Sequence, residues 1–294
     1  MFRTILVHLT GTECDGAALT TALQIATPFS AHLTCLRVTP DPAALIAQAT
    51  TIDMGTAMVL ADTLGAIEQQ ASEHTNKARA IFDQFCGRHD IVRSDSPAQT
   101  ANVAASWREG AASDEFDCLV AEARFHDAVV LAGGPERSGR LPDAVLGSVA
   151  IGGGRPVILA PEHPSLKPIK TIAVAWKNSP ESARAITAAM PLLAKADRVD
   201  VFTANEDDAE AKYCVDCGER VVQQLRWHGL NAHAHFVIPA GRTAPDAVLE
   251  TAHSFAADLL VMGAYGHSRL REFIFGGFTQ RILRGAAIPV FLFH

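Results

Sequence analysis

The amino-acid sequence carries the same pattern of segments twice, and this repeat constrains the fold more than any other feature. Each copy opens with a similar apolar run, Arg3–Val7 in the first half and Lys170–Val174 in the second. Each copy closes with a run of proline and large apolar residues, Gly154–Leu159 and Ala287–Leu292. Because a pattern that recurs in order indicates a repeated folding unit, the sequence predicts two related domains.

The boundary between the halves is marked by proline. The segment Pro161–Pro168 holds three prolines in eight residues. Proline fixes the backbone angle φ and has no N–H to donate, so this segment is predicted to be a linker. We therefore predict domains over residues 1–163 and 164–294. A further matching pair of runs, Asp127–Leu131 and Asp258–Met262, indicates that the extra length of the first half lies mainly before the first of them.

Short apolar runs alternate with longer amphipathic runs in both halves, most clearly in the second. There the pattern predicts strands at Thr171–Trp176, Val199–Thr203, Asn231–Val237, Leu259–Met262 and Pro289–Phe293. It predicts helices at Pro180–Leu193, Asp208–His228, Ala244–Ala257 and Phe278–Leu283. This alternation indicates an α/β fold with a parallel sheet covered on both faces. We predict two tandem doubly wound, Rossmann-like parallel sheets of about five strands each, related by a pseudo-twofold axis.

The last strand of each half is predicted to bring the two domains together. Pro156–Leu159 and Pro289–Phe293 are both apolar and close their sheets. An exposed apolar edge promotes aggregation, so pairing of the domains within the chain is expected at these strands. A homodimer of the whole chain stays open.

The composition excludes several classes of protein. The chain has 294 residues, enough for two domains, and its 48% hydrophobic and 19% charged residues exclude a disordered chain. Its formal charge of −7 argues against nucleic acid and anionic membranes as partners, since both require a basic surface. No run of about 18 apolar residues predicts a membrane span. Because Met1–Thr10 lacks the features of a signal peptide, a cytoplasmic location is predicted.

The six cysteines fall into two groups. Four are scattered and predicted to be buried reduced thiols, since a chain of this size needs no disulfide framework: Cys14, Cys35, Cys86 and Cys118. Cys214 and Cys217 are separated by two residues, a spacing that suits a metal site or a redox pair. Candidate further ligands follow at His228, His233 and His235. The alternative is two small residues on a helix, and no metal site is assigned.

A glycine-rich turn in the second half is the most informative stretch for function. An apolar strand ends at Gly263, a loop follows, and the pair Gly276-Gly277 opens a helix. In doubly wound folds, ligands bind at the carboxyl ends of the strands. Backbone N–H groups at a helix start suit a phosphate, and glycine lets the ligand come close. The alternative is that these glycines only let the loop turn tightly.

The spacing of these glycines resembles a known family. Gly263-x2-Gly266-x9-Gly276 is similar to the nucleotide motif of universal stress proteins, which continues with serine or threonine after the third glycine. With its two similar halves, the chain resembles a tandem universal stress protein. The resemblance implies a non-catalytic protein of the stress response that binds an adenine nucleotide, ATP, in the second half.

The resemblance also implies the contacts of that nucleotide. The ends of the first and second strands would hold adenine and ribose through Ala175, Trp176, Lys177 and Thr203. The loop and the helix start would hold the phosphates through Gly263, Gly266, Gly276, Gly277, Phe278 and Thr279. His267, in the same loop, is expected to contact phosphate or solvent. A magnesium ion is expected only as part of the bound nucleotide.

The second half departs from the family pattern at two positions. Lys177 stands where the family usually has an aspartate, and lysine offers only donors. Gly277 stands where the family has serine or threonine, so a hydroxyl is missing there. Thr279, two residues on, matches a common family threonine and is expected to supply one.

The first half departs further. Ala132 and Pro135 replace the first two motif glycines, and proline has no N–H for a phosphate. Thr10 replaces the aspartate, while Gly147-Ser148 matches the closing pair. The first half is therefore predicted not to bind ATP in the family manner, and to serve as a packing partner or to hold another small ligand.

Three tryptophans and the missing catalytic motifs complete the prediction. Trp176 either stacks on a base or caps the core, whereas Trp107 and Trp227 are predicted to pack inside the domains. No nucleophile elbow, Walker loop or pair of carboxylates is recognisable, so the chain is predicted not to be an enzyme. The alternatives are an interaction module without nucleotide and, less favoured by the sequence, a slow ATPase.

Overall fold

The computed structural model describes residues 1–41, 54–96, 102–112, 115–133, 143–204, 211–264 and 275–294, with the backbone alone at 54–64, 115, 143–144 and 211–214. The strands are β1 Thr4–His8, β2 His32–Pro40, β3 Val92–Arg93, β4 Ala104–Ala112, β5 Ala128–Ala132, β6 Val157–Ala160, β7 Thr171–Ala175, β8 Arg198–Ala204, β9 Ala232–Val237, β10 Leu259–Gly263 and β11 Val290–Phe293. The helices are α1 Asp15–Ala26, α2 Met54–Arg88, α3 Glu115–Ala123, α4 Asp143–Gly152, α5 Pro180–Leu193, α6 Ala211–Trp227, α7 Ala244–Ser254 and α8 Gly277–Gly285.

The described strands form one continuous sheet in the order β3-β4-β2-β1-β5-β6-β11-β10-β7-β8-β9. Neighbouring strands are parallel within each half, and β6 and β11 pair antiparallel where the halves meet. Read outward from this junction, both halves have the same order of equivalent strands, which confirms the two related doubly wound units. The second half has the five strands predicted, whereas the two-residue strand β3 gives the first half a sixth.

The last strands join the halves as the sequence predicted. Leu159 lies opposite Val290, Ile158 opposite Phe291 and Val157 opposite Leu292. The sequence did not predict that the two sheets would merge into one. They merge because each closing strand offers its free edge to the other, and antiparallel pairing satisfies the backbone groups of both.

Helices cover both faces of the sheet, and each face carries one apolar core. The core on one face includes buried residues of α1, α2, α5 and α6, such as Leu19, Phe82 and Val222. The core on the other face includes buried residues of α3, α4, α7 and α8, such as Leu119 and Ile282. Both cores run across the two halves, so the junction is part of the packed interior.

An aspartate repeated in the two halves fixes the start of each first strand. Asp127 Oδ2 accepts hydrogen bonds from two consecutive backbone N–H groups at the start of β1, at 2.7 and 3.0 Å. Asp258 Oδ2 accepts the same pair of bonds at the start of β7, at 2.8 and 2.9 Å. These residues open the matching runs found in the sequence, so the repeat extends to individual hydrogen bonds.

Helix α5 begins and ends at the predicted residues. Ser179 has extended backbone angles, and its hydroxyl accepts a hydrogen bond from the N–H of Ser182 at 3.3 Å. Pro180 occupies the first helical position and Glu181 lies in the first turn, where a carboxylate favours the helix start. Thr243 caps α7 in the same way, because its hydroxyl accepts a hydrogen bond from the N–H of Asp246 at 3.4 Å.

The scattered cysteines carry free thiols, and the predicted burial holds for Cys14, Cys35 and Cys86, while Cys118 is partly exposed. Burial raises the pKa of the thiols of Cys35 and Cys86, which disfavours the reactive thiolate. Trp107 packs against Phe82, with ring centroids 5.5 Å apart, as expected of a packing residue.

The predicted packing role of Trp227 is wrong, because its side chain is 83% exposed. Trp227 is the last residue of α6, so its indole stands at the end of the helix and in solvent. Among the described helices, none has the length and apolar character needed to cross a membrane.

A buried carboxyl group at the start of α1 predicts a pH-dependent stability. Asp15 is fully buried and accepts hydrogen bonds from the N–H groups of Thr10 and Gly11, each at 2.8 Å. Burial raises its pKa above the ordinary value of 3.8, although these bonds act in the opposite direction. The carboxyl group of Asp15 therefore binds its proton more tightly in the folded chain than in the unfolded chain. The contribution of Asp15 to the free energy of unfolding is present below pH 3.8 and is lost as the pH rises through the folded-state pKa.

We expect Asp15→Asn to remove this dependence, because an amide does not titrate. Urea denaturation of both proteins at several values between about pH 4 and pH 7 measures it. The free energy of unfolding of the wild type should fall relative to that of the variant as the pH rises. Parallel curves for the two proteins would contradict the prediction.

Candidate functional site

A cavity of about 880 Å³ lies at the carboxyl ends of the second-half strands. Residues at the ends of β7, β8 and β10 and at the starts of α5, α7 and α8 line it. This is the place where doubly wound sheets bind ligands. Nine of the residues named from the sequence line it: Ala175, Trp176, Lys177, Thr203, Gly263, Gly276, Gly277, Phe278 and Thr279. Gly266 and His267 lie outside the described residues.

The end of β7 is held in place by hydrogen bonds to its neighbours. The N–H of Trp176 donates to the carbonyl oxygen of Phe202 at 2.8 Å, and the N–H of Lys177 donates to the hydroxyl of Ser182 at 3.4 Å. Trp176 packs against the core and also lines the cavity. Its indole Nε1 is buried and has no hydrogen-bond partner within the described part of the chain.

Gly263 is required by packing as well as by its place in the cavity. A β-carbon at this position would lie 2.6 Å from the backbone nitrogen of Ser182 and 2.9 Å from the β-carbon of Glu181. Both atoms belong to the first turn of α5, so the end of β10 reaches this helix only because residue 263 has no side chain. The first motif glycine therefore has a structural function that does not depend on a ligand.

The start of α8 borders the open space of the cavity. Gly276 is its N-cap and makes no side-chain capping bond, and the first turn carries no acidic residue. A β-carbon at Gly277 would meet no described atom within 4 Å. The backbone N–H groups and the partial positive charge of this helix end are thus not satisfied by capping or acidic side chains among the described residues.

Thr279 lines the cavity, but its side chain is buried. The residue is 1% exposed, and its hydroxyl oxygen has no hydrogen-bond partner among the residues that the structure describes. The hydroxyl that the sequence assigned to the phosphates therefore belongs to a buried side chain in the first turn of α8.

The sequence analysis missed an ion pair that lies at the cavity. Arg281 Nε donates to Asp246 Oδ1 at 2.7 Å, and the hydroxyl of Thr243 donates to Asp246 Oδ2 at 2.7 Å. All three residues line the cavity. The bond from Arg281 lowers the pKa of Asp246 and raises that of Arg281. The only signal in the sequence was the helix-capping spacing of Thr243 and Asp246, which indicates a helix start and not a site.

The side chains around the cavity favour an anion. Among the described residues that line it, Lys177 and Arg281 are cationic and Asp246 is anionic. The chain as a whole carries a formal charge of −7, so the cavity is positive relative to the rest of the molecule. Other lining residues that the sequence did not indicate are Asn178, Ser179, Ser182, Phe202, Ala204, Cys217, Ala244, Pro245, Val248 and Met262.

The corresponding region of the first half is built differently. The N–H and hydroxyl of Thr10 both donate to Asp15, at 2.8 and 3.1 Å. Gly11 has φ +78°, and a β-carbon there would lie 2.2 Å from the carbonyl oxygen of His74 on the long helix α2. The loop after β1 is thus packed against the backbone of α2, and its polar groups are bound by the carboxylate of Asp15.

The match between Gly147-Ser148 and the closing pair of the motif is wrong. Helix α4 begins at Asp143, so both residues lie inside the helix and not at its start. N–H groups within a helix bond to its own carbonyl groups and are not available to a ligand. Ala132 ends β5 as expected, and Pro135 lies outside the described residues.

The cysteine pair is described only at one member. Cys217 carries a free thiol, is buried and lines the cavity, whereas the side chain of Cys214 is outside the described part. Two of the nearby histidines have other partners: His235 Nε2 lies 2.8 Å from Asp200 and His233 Nε2 lies 3.0 Å from Asn231. Among the described side chains, no group of three or more potential ligands is placed to hold a metal ion.

Comparison with solved structures agrees with this architecture. A universal stress protein from Archaeoglobus fulgidus DSM 4304 aligns over 99% of this chain and 97% of its own, with a TM-score of 0.64 and 15% identity. A protein of unknown function from Pseudomonas aeruginosa PAO1 aligns over 99% and 92%, with a TM-score of 0.57 and 15% identity. At this level of identity, the likeness supports the fold alone.

Comparison with known sequences identifies the family. Universal stress protein Slr1230 from Synechocystis sp. is 44% identical over 51 residues, which are 17% of this chain and 18% of that protein. The match thus spans about a fifth of the length of this curated relative. The model of the universal stress protein family matches twice, over residues 1–152 and 168–294. The chain therefore belongs to the universal stress protein family and carries two domains of that family in tandem.

Proposed function

We propose that the second half of this chain binds an adenine nucleotide, ATP, in the cavity beside α8 and does not turn it over. The whole chain would then act in a stress response as a binding protein. The observation that carries the proposal is the convergence of nine residues, named from the sequence alone, on one cavity. They come from the ends of three strands and the start of one helix, which are far apart in the sequence.

The size and lining of the cavity suit a nucleotide. Its volume of about 880 Å³ falls within the range of roughly 300–1,000 Å³ that is typical of small-molecule sites. Ala175, Phe202 and Met262 offer an apolar surface to a base at the strand ends. The start of α8 offers N–H groups to phosphates. Trp176 and Thr279 also line the cavity, with their Nε1 and Oγ1 atoms buried in its wall and without partners in the described part.

The charges of the cavity support binding without catalysis. Asp246 is the acidic side chain among the described lining residues, and it accepts hydrogen bonds from Arg281 and Thr243. A carboxylate with a lowered pKa and two donors is a weak general base. Lys177 and Arg281 are the cationic side chains among the described lining residues. Any Mg²⁺ would enter with the phosphates, which it prefers as ligands.

An interaction module without nucleotide is the second candidate. The packing function of Gly263 favours it, because the contact with α5 requires this glycine whether or not a ligand binds. Lys177 in the place of aspartate favours it as well. In that case the cavity would be an inherited feature of the fold.

Substitutions of Gly277 test the proposal. Because a β-carbon there meets no described atom within 4 Å, aspartate and serine can both be placed without a clash. We expect Gly277→Asp to weaken ATP binding at least tenfold, about 1.4 kcal/mol, because its carboxylate repels the phosphates. We expect Gly277→Ser to bind ATP at least as tightly as the wild type, because it restores a hydroxyl. Titration calorimetry and mass spectrometry of ligand released from denatured protein measure both.

The fold of the Gly277→Asp variant should be intact. A carboxylate in the first turn stabilises a helix start by about 0.3–1 kcal/mol, so the melting temperature should stay the same or rise. If the wild type releases no nucleotide and gives no heat with ATP, the proposal fails and the interaction module is favoured. Phosphate release under single-turnover conditions would contradict binding without catalysis.

A further inference from the structure

We infer that Arg281 makes the cavity prefer ligands with more phosphate groups, and that Asp246 competes with those phosphates for its guanidinium group. The inference rests on the proposed nucleotide binding. It concerns an ion pair that the glycine motif does not include and that joins α7 to α8 at the cavity.

Arg281 is placed to reach a ligand at the start of α8. It follows Gly277 by four residues, which is about one helical turn. Helical side chains lean toward the N-terminus of their helix, so the guanidinium group extends back over the turn that begins at Gly277. Arg281 lines the cavity, and its side chain is 59% exposed.

The guanidinium group retains donors for a second acceptor. Its Nε atom donates to Asp246, while its two terminal nitrogens have no hydrogen-bond partner among the described residues. A guanidinium group has five N–H donors and binds phosphate oxygens in pairs. Because the side chain of Arg281 is exposed to solvent, its ion pair with Asp246 is weak, and a phosphate can take the place of Asp246 as its partner.

Asp246 is fixed more firmly than Arg281. Its second oxygen accepts a hydrogen bond from Thr243, the N-cap of α7, at 2.7 Å. Its side chain is short, whereas Arg281 has a long, rotatable one. When a phosphate binds, Arg281 turns toward it and Asp246 stays at the start of α7. The like charges of Asp246 and the phosphate then oppose binding, and this opposition grows with the charge of the ligand.

The test compares ATP with adenosine, which shares the base and ribose but has no phosphate. We expect Arg281→Gln to weaken ATP binding about tenfold, the size of a hydrogen bond to a charged group. We expect Asp246→Asn to strengthen it about threefold, the size of an exposed charge interaction. Adenosine binding should change less than twofold in either variant. Titration calorimetry on the full chain gives the six dissociation constants, for the wild type and both variants with each of the two ligands.

Arg284→Gln is the matched control. Arg284 is on the same helix, its substitution changes the net charge equally, and it is not among the described residues that line the cavity, so its loss should leave ATP binding unchanged. Equal losses of ATP and adenosine in Arg281→Gln, or no loss of either, would overturn the inference. Unchanged or weaker ATP binding in Asp246→Asn would contradict the inference that Asp246 competes with the phosphates for Arg281. If the wild type binds neither ligand, the proposed function itself fails, which is a different result.

Discussion

Gly263→Ala is expected to lower the free energy of unfolding by about 2–3 kcal/mol, the upper part of the range for overpacked positions. The new β-carbon would lie 2.6 Å from the backbone nitrogen of Ser182 and 2.7 Å from the carbonyl carbon of Glu181. These are backbone atoms, so no side-chain rotation relieves the contact. Either β10 or α5 must move, and both pack against the core of the second half. The loss arises in the folded chain and requires no ligand.

Gly277→Ala is the matched control for this prediction. It makes the same chemical change at another glycine of the motif, where a β-carbon meets no described atom within 4 Å. Alanine also favours the helix more than glycine does. Chemical denaturation of both variants should therefore show a large loss for Gly263→Ala and none for Gly277→Ala. Equal stabilities would mean that packing does not require a glycine at position 263. A requirement for glycine there would then have to be imposed by a bound ligand.

Arg198→Met is expected to lower the free energy of unfolding by about 3 kcal/mol, because it removes one partner of a buried charge. Asp200 is fully buried between β7 and β9, and Arg198 Nε lies 2.8 Å from its Oδ2 atom. His235 Nε2, 2.8 Å from Oδ1, would then be the remaining side-chain partner found among the described residues. Methionine keeps an apolar contact with Phe255, over which the guanidinium group now lies at 5.2 Å.

The size of the loss in the free energy of unfolding shows whether Arg198 neutralises a buried charge or forms an ordinary surface ion pair. Arg198 is 43% exposed in its side chain, so an exposed ion pair would predict a loss below about 1 kcal/mol. Urea denaturation measures the difference. Adding Asp200→Asn to Arg198→Met removes the buried carboxylate that has lost its arginine and should recover much of the lost stability. A loss below about 1 kcal/mol for the single variant, or no recovery in the double variant, would contradict the assignment.

The parts of the fold that local chemistry decides were predictable. Helix α5 has the predicted bounds because Ser179, Pro180 and Glu181 each favour a helix start by short-range interactions. The nine cavity residues could be named because the carboxyl ends of parallel strands meet at one edge of the sheet. Their role in binding stays a prediction.

The parts that tertiary packing decides were not predictable. Asp246 and Arg281 are 35 residues apart, and nothing near either one indicates the other. Gly147 could be aligned with a motif glycine, but only the bounds of α4 show that it lies inside a helix. The exposure of Trp227 depends on where α6 ends relative to its neighbours. The two sheets merge through strand edges from both halves, so the local sequence of either half alone does not indicate it.

The antiparallel junction of β6 and β11 also has a consequence for the synthesis of the chain. Val290, the partner of Leu159, is translated about 130 residues later. At a translation rate of about 5–20 residues per second, the edge of β6 remains unpaired for roughly 7–26 seconds before β11 is synthesised. During that time a folded first domain presents an apolar strand edge that can pair with another nascent chain. The hazard of misassembly is therefore greatest before β11 has been synthesised, and slow translation of the second half would increase it.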